Sequence, residues 1–164
     1  MITMNLRSAS FSLVEVTLAL GVAAVSLLPI LGLLATGTKI NHTAFEQTSS
    51  SDILTAVAAD LRATPKTSPL GSATPSPQFG ITIPPNPVPS PAPSPTTLYF
   101  SSGGQSSTTS SSDSRYRLTA AFLPNGPGEH TATFVDLRIT WPAAADPTSV
   151  STEAVEMFVA LDRN

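Results

Sequence analysis

The sequence predicts an α+β protein in which a long N-terminal helix precedes a small antiparallel β-sheet. Residues 16–35 form a run without a single charged side chain, and helical spacing continues to residue 63. The C-terminal part, from about residue 98 to 164, alternates apolar and polar residues with period two, which is typical of antiparallel strands covered on one face. Between these parts lies a segment, Pro65 to Pro95, that holds eleven of the 16 prolines.

The apolar run predicts a membrane-spanning helix over residues 11–37. Its 20 uncharged residues correspond to about 30 Å of helix, the thickness of one hydrocarbon core. Pro29, with Gly21 and Gly32, predicts a bend or a loosened turn partway along this helix.

Residues 38–63 predict an amphipathic continuation of the same helix. Ile53, Val57 and Leu61 follow one another at a spacing of four, with Leu54 and Ala58 beside them. We expect this apolar stripe to cover the sheet. Four charged residues of the segment are predicted to lie on other faces of the helix: Glu46, Asp52, Asp60 and Arg62.

The proline-rich segment, residues 64–97, predicts a linker. The stretch PPNPVPSPAPSP favours an extended polyproline II spacer, and FGITI, residues 79–83, is compatible with a short strand. The serine-rich residues 101–114 predict a loop between strands. The C-terminal β-rich part, residues 98–164, should hold strands at TLYFS, RYRLTAAFL, TFVDLRITW and AVEMFVAL.

Composition excludes several classes of function. The formal net charge of −3 offers no basic surface for nucleic acid. The absence of cysteine removes disulfides, thiolate chemistry and Cys-ligated zinc.

No arrangement of residues predicts an enzyme, a bound cofactor or a metal site. His42 is predicted to be a solvent-facing residue of the helix, and His130 is expected to be exposed after a turn. Loop carboxylates that bind calcium are spaced more regularly than the acids of this chain, Asp113, Asp146 and Asp162. Trp141 is expected in the core.

The one ionisable residue between Ser10 and Leu34 is Glu15, and three hypotheses account for it. A secretory signal peptide would have a shorter apolar region followed by a cleavage site of small residues. An ordinary signal anchor would carry Glu15 as an incidental residue. A third hypothesis follows from the short leader and the position of the acid.

The stretch SFSLVEVTLAL resembles the N-terminal motif of type IV prepilins and type II secretion pseudopilins. The resemblance implies that residues 1–10 are a leader, removed between Ser10 and Phe11 by a prepilin peptidase that also N-methylates Phe11. It implies that Glu15, the fifth residue of the mature chain, pairs with the N-terminus of a neighbouring pilin-like subunit. The family usually has Gly where this chain has Ser10.

The C-terminal half is similar to a narrower family. TLYFSSGGQ, SRYRLTAAF, VDLRITWPAAAD and VEMFVALDRN resemble the Verru_Chthon cassette protein B family of Verrucomicrobia, as does LLPILGLLATG. These resemblances imply a minor pilin or pseudopilin in a type IV pilus-like or type II secretion-like filament.

The chain would be a single-pass protein of the inner membrane with an extracytoplasmic C-terminal domain. The alternative is a membrane-anchored extracytoplasmic binding module that does not polymerise.

Overall fold

The computed structural model describes residues 12–65, 72–125, 132–147, 149 and 152–162. Within these residues one helix, α1 (Leu13–Ala63), precedes a two-stranded hairpin and a five-stranded antiparallel sheet. The strands are β1 (Thr74–Pro75), β2 (Thr82–Ile83), β3 (Thr96–Ser101), β4 (Ser106–Ser107), β5 (Ser114–Phe122), β6 (Thr133–Trp141) and β7 (Glu153–Leu161). The chain divides into two compact units, Met1–Phe45 and Glu46–Asn164, and each is described by itself.

The first unit contains the apolar part of α1, and its side chains are uncovered. Every described residue from 12 to 42 is exposed, including Leu13 at 81% and Leu33 at 72%. The helix is long and apolar enough to cross a membrane, although a signal sequence would meet the same criterion of length and composition. A surface of this kind is unfavourable in water, so lipid or other apolar groups must cover it.

Polar side chains in this part of α1 bond to the helix itself. The hydroxyls of Thr17, Ser26 and Thr36 donate to the carbonyl oxygens of Val14, Val22 and Gly32 at 2.8–3.0 Å. A hydroxyl paired in this way does not need water, which lowers the free-energy cost of placing it in an apolar environment.

The second unit, which we call the head, is an α+β unit as predicted. Its sheet has the order β4-β3-β5-β6-β7, with every neighbouring pair antiparallel. Side chains alternate between the two faces, and the inner face is buried at Leu98, Phe100, Tyr116, Leu118, Ala120, Phe122, Val135, Leu137, Ile139, Trp141, Val159 and Leu161. The period-two patterns therefore identified the buried face correctly.

The apolar stripe of α1 covers this inner face, which confirms the predicted cover. Leu54 and Val57 are fully buried and Leu61 is 1% exposed, and all three belong to the same core as the sheet. The long apolar side chains of one helix face and one sheet face exclude water from each other, which is the main stabilising term of the head.

The placement of Glu46 and Asp60 on other helix faces was wrong. Both are buried, at 4% and 8% exposure. Each lies seven residues from Ile53, which is about two helical turns, so both fall on the covered face. Their carboxylates are tolerated there because each has hydrogen-bond donors from the head.

The proline-rich segment differs from the spacer that we expected over residues 64–97. Ile81, Ile83 and Val88 are at most 2% exposed and belong to the core. β1 and β2 pair as a hairpin whose turn is held to α1, because the Asp60 carboxylate accepts hydrogen bonds from the backbone N–H groups of Gln78 at 3.0 Å and Phe79 at 3.1 Å. Deleting residues 84–95 would thus remove core contacts.

The cover of the sheet by α1 is testable by substitution. Leu61→Asp should lower the free energy of unfolding of the head by more than about 3 kcal/mol, because it places an unpaired carboxylate against the apolar sheet. Urea titration of the detergent-solubilised full chain can be followed by the emission of Trp141, the sole tryptophan, which is buried in the head.

The matched control is Ala59→Asp, two residues away on the exposed side of the same helix. It should change the unfolding midpoint little, since its carboxylate stays in water. Equal midpoints for the two variants would contradict the packing of this helix face on the sheet.

Candidate functional site

Glu15 lies in the first turn of α1 and is exposed. A carboxylate in the first turn is favoured by the helix dipole, although this effect is small. No ion pair joins it to any other residue that the structure describes. It therefore presents a negative charge at the start of an uncovered apolar helix, where a cation from outside the chain can reach it. The predicted cleavage site, Ser10 and Phe11, lies outside the described residues.

A second charged site lies inside the head, where Glu46 of α1 meets Arg115 of β5. The guanidinium of Arg115 donates from both Nε, at 2.8 Å, and Nη2 to Oε1 of Glu46. The side chain of Glu46 is 5% exposed, whereas that of Arg115 is 38% exposed. One partner is thus buried and the other still touches water, so the desolvation cost falls mainly on Glu46.

Tyr116 joins this pair from the core side of the sheet. Burial, followed by a hydrogen bond to Glu46, raises the pKa of the Tyr116 hydroxyl above its ordinary value. The hydrogen bond to Glu46 likewise raises the pKa of Arg115. The phenol thus stays protonated and the guanidinium charged at neutral pH, so both groups can donate to the Glu46 carboxylate.

This network of Glu46, Arg115 and Tyr116 can hold α1 in one position on the sheet. Its three side chains interact with each other. An ion pair that must be satisfied in one geometry specifies how two elements align, even where its net contribution to stability is small. The sequence signal that identifies Glu46 is its spacing of seven from Ile53. Its partner Arg115 is 69 residues away, which no local pattern reveals.

The remaining candidate residues do not come together. His42 is exposed on α1, and His130 lies outside the described residues. Asp113, Asp146 and Asp162 are exposed, and the described residues contain no group of three His, Cys, Asp or Glu side chains that would hold a metal ion. Trp141 is buried against Tyr116, with ring centroids 6.3 Å apart, which confirms its prediction as a core residue.

The ion pair of Glu46 predicts a specific pattern of stability. Arg115→Met keeps most of the side-chain volume but removes the donors, and should destabilise the head by about 2–3 kcal/mol because the Glu46 carboxylate stays buried. The double variant Glu46→Met/Arg115→Met should recover most of this loss. The measurement is urea unfolding followed by Trp141 emission.

Arg138→Met is the matched control, because Arg138 forms an ion pair with Glu156 in which both side chains are more than 40% exposed. Its loss should cost less than about 1 kcal/mol. A double variant no more stable than Arg115→Met would show that the buried charge is not the cause.

The chain thus presents an exposed acid on an uncovered apolar helix, and a head in which a buried carboxylate, Glu46, pairs α1 with the partly exposed Arg115 of the sheet. Comparison of the chain with protein-family models, with curated proteins and with solved structures finds no match in any of the three.

Proposed function

We propose that the chain is a structural subunit of a type IV pilus-like or type II secretion-like filament, of the minor pilin or pseudopilin kind. The observation that carries this proposal is the exposed carboxylate of Glu15 in the first turn of an uncovered apolar helix. A charge that a helix carries into lipid is costly unless a partner neutralises it. A subunit that exchanges lipid contacts for contacts with other helices supplies such a partner.

The proposed partner of Glu15 is the N-terminal ammonium of a neighbouring subunit. Opposite charges about 4 Å apart gain about 4 kcal/mol at an effective dielectric constant near 20, before desolvation is counted. Removal of the leader before Phe11 creates this ammonium, so processing by a prepilin peptidase and N-methyltransferase precedes assembly. The pairing selects one register between adjacent helices.

The uncovered apolar surface of the first unit supports the same proposal. Its large side chains are 45–81% exposed from Leu13 to Leu34. Inner-membrane lipid covers them before assembly, and helices of other pilin-like subunits cover them in the filament.

In the proposed membrane topology the chain crosses the membrane once and the head is extracytoplasmic. The narrower resemblance to Verru_Chthon cassette protein B implies that the neighbours are encoded in the same cassette.

The alternative is a membrane-anchored binding module that never polymerises. It requires the same anchor and head but neither leader cleavage nor a partner for Glu15. The two functions are therefore separated by the N-terminus of the native protein and by the role of Glu15 in assembly.

The first prediction concerns processing. The mature chain should begin at Phe11, carry an N-methyl group and contain 154 of the 164 residues. Ser10→Gly should preserve or improve cleavage, whereas Ser10→Trp should block it, because the peptidase must admit the residue before the cut. Intact mass and N-terminal sequencing of the protein from its native membrane provide the measurement. An uncleaved Met1 would favour the binding module.

The second prediction concerns assembly. Glu15→Val should leave membrane insertion and cleavage intact but exclude the subunit from filaments, because the neighbouring ammonium would stay unpaired. Glu15→Gln should be intermediate, since it keeps a hydrogen-bond acceptor and loses the charge. The readout is co-purification of the tagged variant with sheared filaments or with pilin-like partners.

The control for assembly is Asp52→Val, which removes an exposed acid from the head portion of α1. It should co-purify like the unmodified chain. Recovery of Glu15→Val at the level of the unmodified chain would remove the support for charge pairing.

A further inference from the structure

The outer face of the sheet, opposite the core, carries an apolar surface where β5 and β7 end and β6 begins. Three large side chains of the head are substantially exposed: Leu123 at 41%, Phe134 at 46% and Phe158 at 66%. Single exposed apolar residues are ordinary on a protein surface, but contiguous ones mark contact sites. The strand register decides which case applies here.

The register brings these residues together. The backbone N–H of Leu123 donates to the carbonyl oxygen of Phe134 at 2.9 Å, and Phe134 lies opposite Ala160. Two residues further along β6, Asp136 lies opposite Phe158 of β7. Phe158 is therefore a diagonal neighbour of Phe134 on the same face of the sheet. Side chains in such positions are neighbours on a sheet. We call this surface, formed by Leu123, Phe134, Asp136, Phe158 and Ala160, the outer corner.

The outer corner also contains an incompletely compensated negative charge. Oδ1 of Asp136 is buried and accepts no hydrogen bond from the described residues. The nearby basic residue is Arg138. Its Nε lies 3.3 Å from Oε1 of Glu156, and its Nη2 donates to the carbonyl oxygen of Pro147. Arg138 is thus engaged by Glu156 and Pro147, and among the described residues it forms no ion pair with Asp136. Burial, and then the charge of Glu156, raise the pKa of Asp136.

The outer corner adjoins an unpaired strand edge. β7 ends the sheet, and its nine residues pair with β6 on one side only among the described residues. The strand contains neither lysine nor proline, which commonly protect edges, and its charges are the acids Glu153 and Glu156. Such an edge can accept an added strand through backbone hydrogen bonds.

We propose that the outer corner and the β7 edge dock an extended segment of another polypeptide that bears lysine or arginine. The segment adds as a strand along β7 and lays a cationic side chain across the Phe158 ring towards Asp136. An added strand lies about 10 Å from β6, which the stem of a lysine or arginine can largely span. The ring faces offer cation–π contact to the same group.

Charge argues against a second copy of this chain as the occupant. Antiparallel pairing of two β7 edges along their whole length would place Glu156 of each copy diagonal to Glu156 of the other, and like charges in neighbouring cross-strand positions repel each other. The opposite edge of the sheet, β4, has two residues and cannot pair along β7. A cationic partner complements the surface, and this inference does not depend on the filament proposal.

The test uses the full chain in nanodiscs of zwitterionic lipid. The probe is a fluorescein-labelled nonapeptide of alternating threonine and valine with two arginines on one face, and its twin carries glutamates in place of the arginines. Fluorescence anisotropy should show that the basic probe binds at least about tenfold more tightly than the acidic twin. Asp136→Asn and Phe158→Thr should each weaken the basic probe by about tenfold.

Asp113→Asn, which removes an exposed acid from the loop before β5, is the matched control and should leave binding unchanged. Asp136→Asn should keep the head folded. Because the pKa of Asp136 is raised in the folded protein, ionisation of this carboxyl lowers the free energy of unfolding as the pH rises. The uncharged amide of asparagine does not ionise, so the variant avoids this loss. Trp141 emission checks folding of every variant. No binding, equal binding of both probes, or no effect of Phe158→Thr would overturn the proposal. Self-association lost in Phe158→Thr would also overturn it, in favour of a second copy.

Discussion

A single helix must cover one face of the head sheet, and this constraint shapes the rest of the head. A helix with its side chains is about 10–12 Å wide, whereas four neighbouring strands extend about 15–19 Å across. The stripe of α1 around Leu54, Val57 and Leu61 therefore leaves part of the inner face open. The hairpin of β1 and β2 and the residue Val88 fill the remainder, which is why a segment so rich in proline belongs to the core.

Buried carboxylates align these covering elements. Glu46 connects α1 to β5 through Arg115, and Asp60 connects α1 to the hairpin turn through two backbone N–H groups. Apolar contacts are non-directional, so they permit a helix to slide or rotate on a sheet at modest cost. A buried charge allows one arrangement only, since any other leaves it without donors.

The two units carry different kinds of contact surface. The apolar part of α1 is uncovered along its whole described length, and Glu15 is the one charged side chain between residues 12 and 38. The outer corner of the head is small, with aromatic side chains beside the Asp136 carboxylate, whose Oδ1 accepts no hydrogen bond from the described residues. We infer that the first surface serves lipid and helix partners, and the second a cationic strand. The two proposals rest on different residues, so each can fail without the other.

The sequence by itself determined the helix and the strands whose apolar residues recur at regular spacing. The apolar run predicted the long helix, the spacing of four from Ile53 to Leu61 identified its buried stripe, and alternation identified the inner faces of β5 and β6. These features can be predicted locally, because the spacing of apolar residues within one segment indicates both its secondary structure and its buried face. Only the tertiary structure decided the rest: the partner of Glu46, the packing of Ile81 and Val88, and the meeting of Leu123, Phe134 and Phe158. Those contacts join residues far apart in the chain, and their free energy depends on which surfaces the fold brings together.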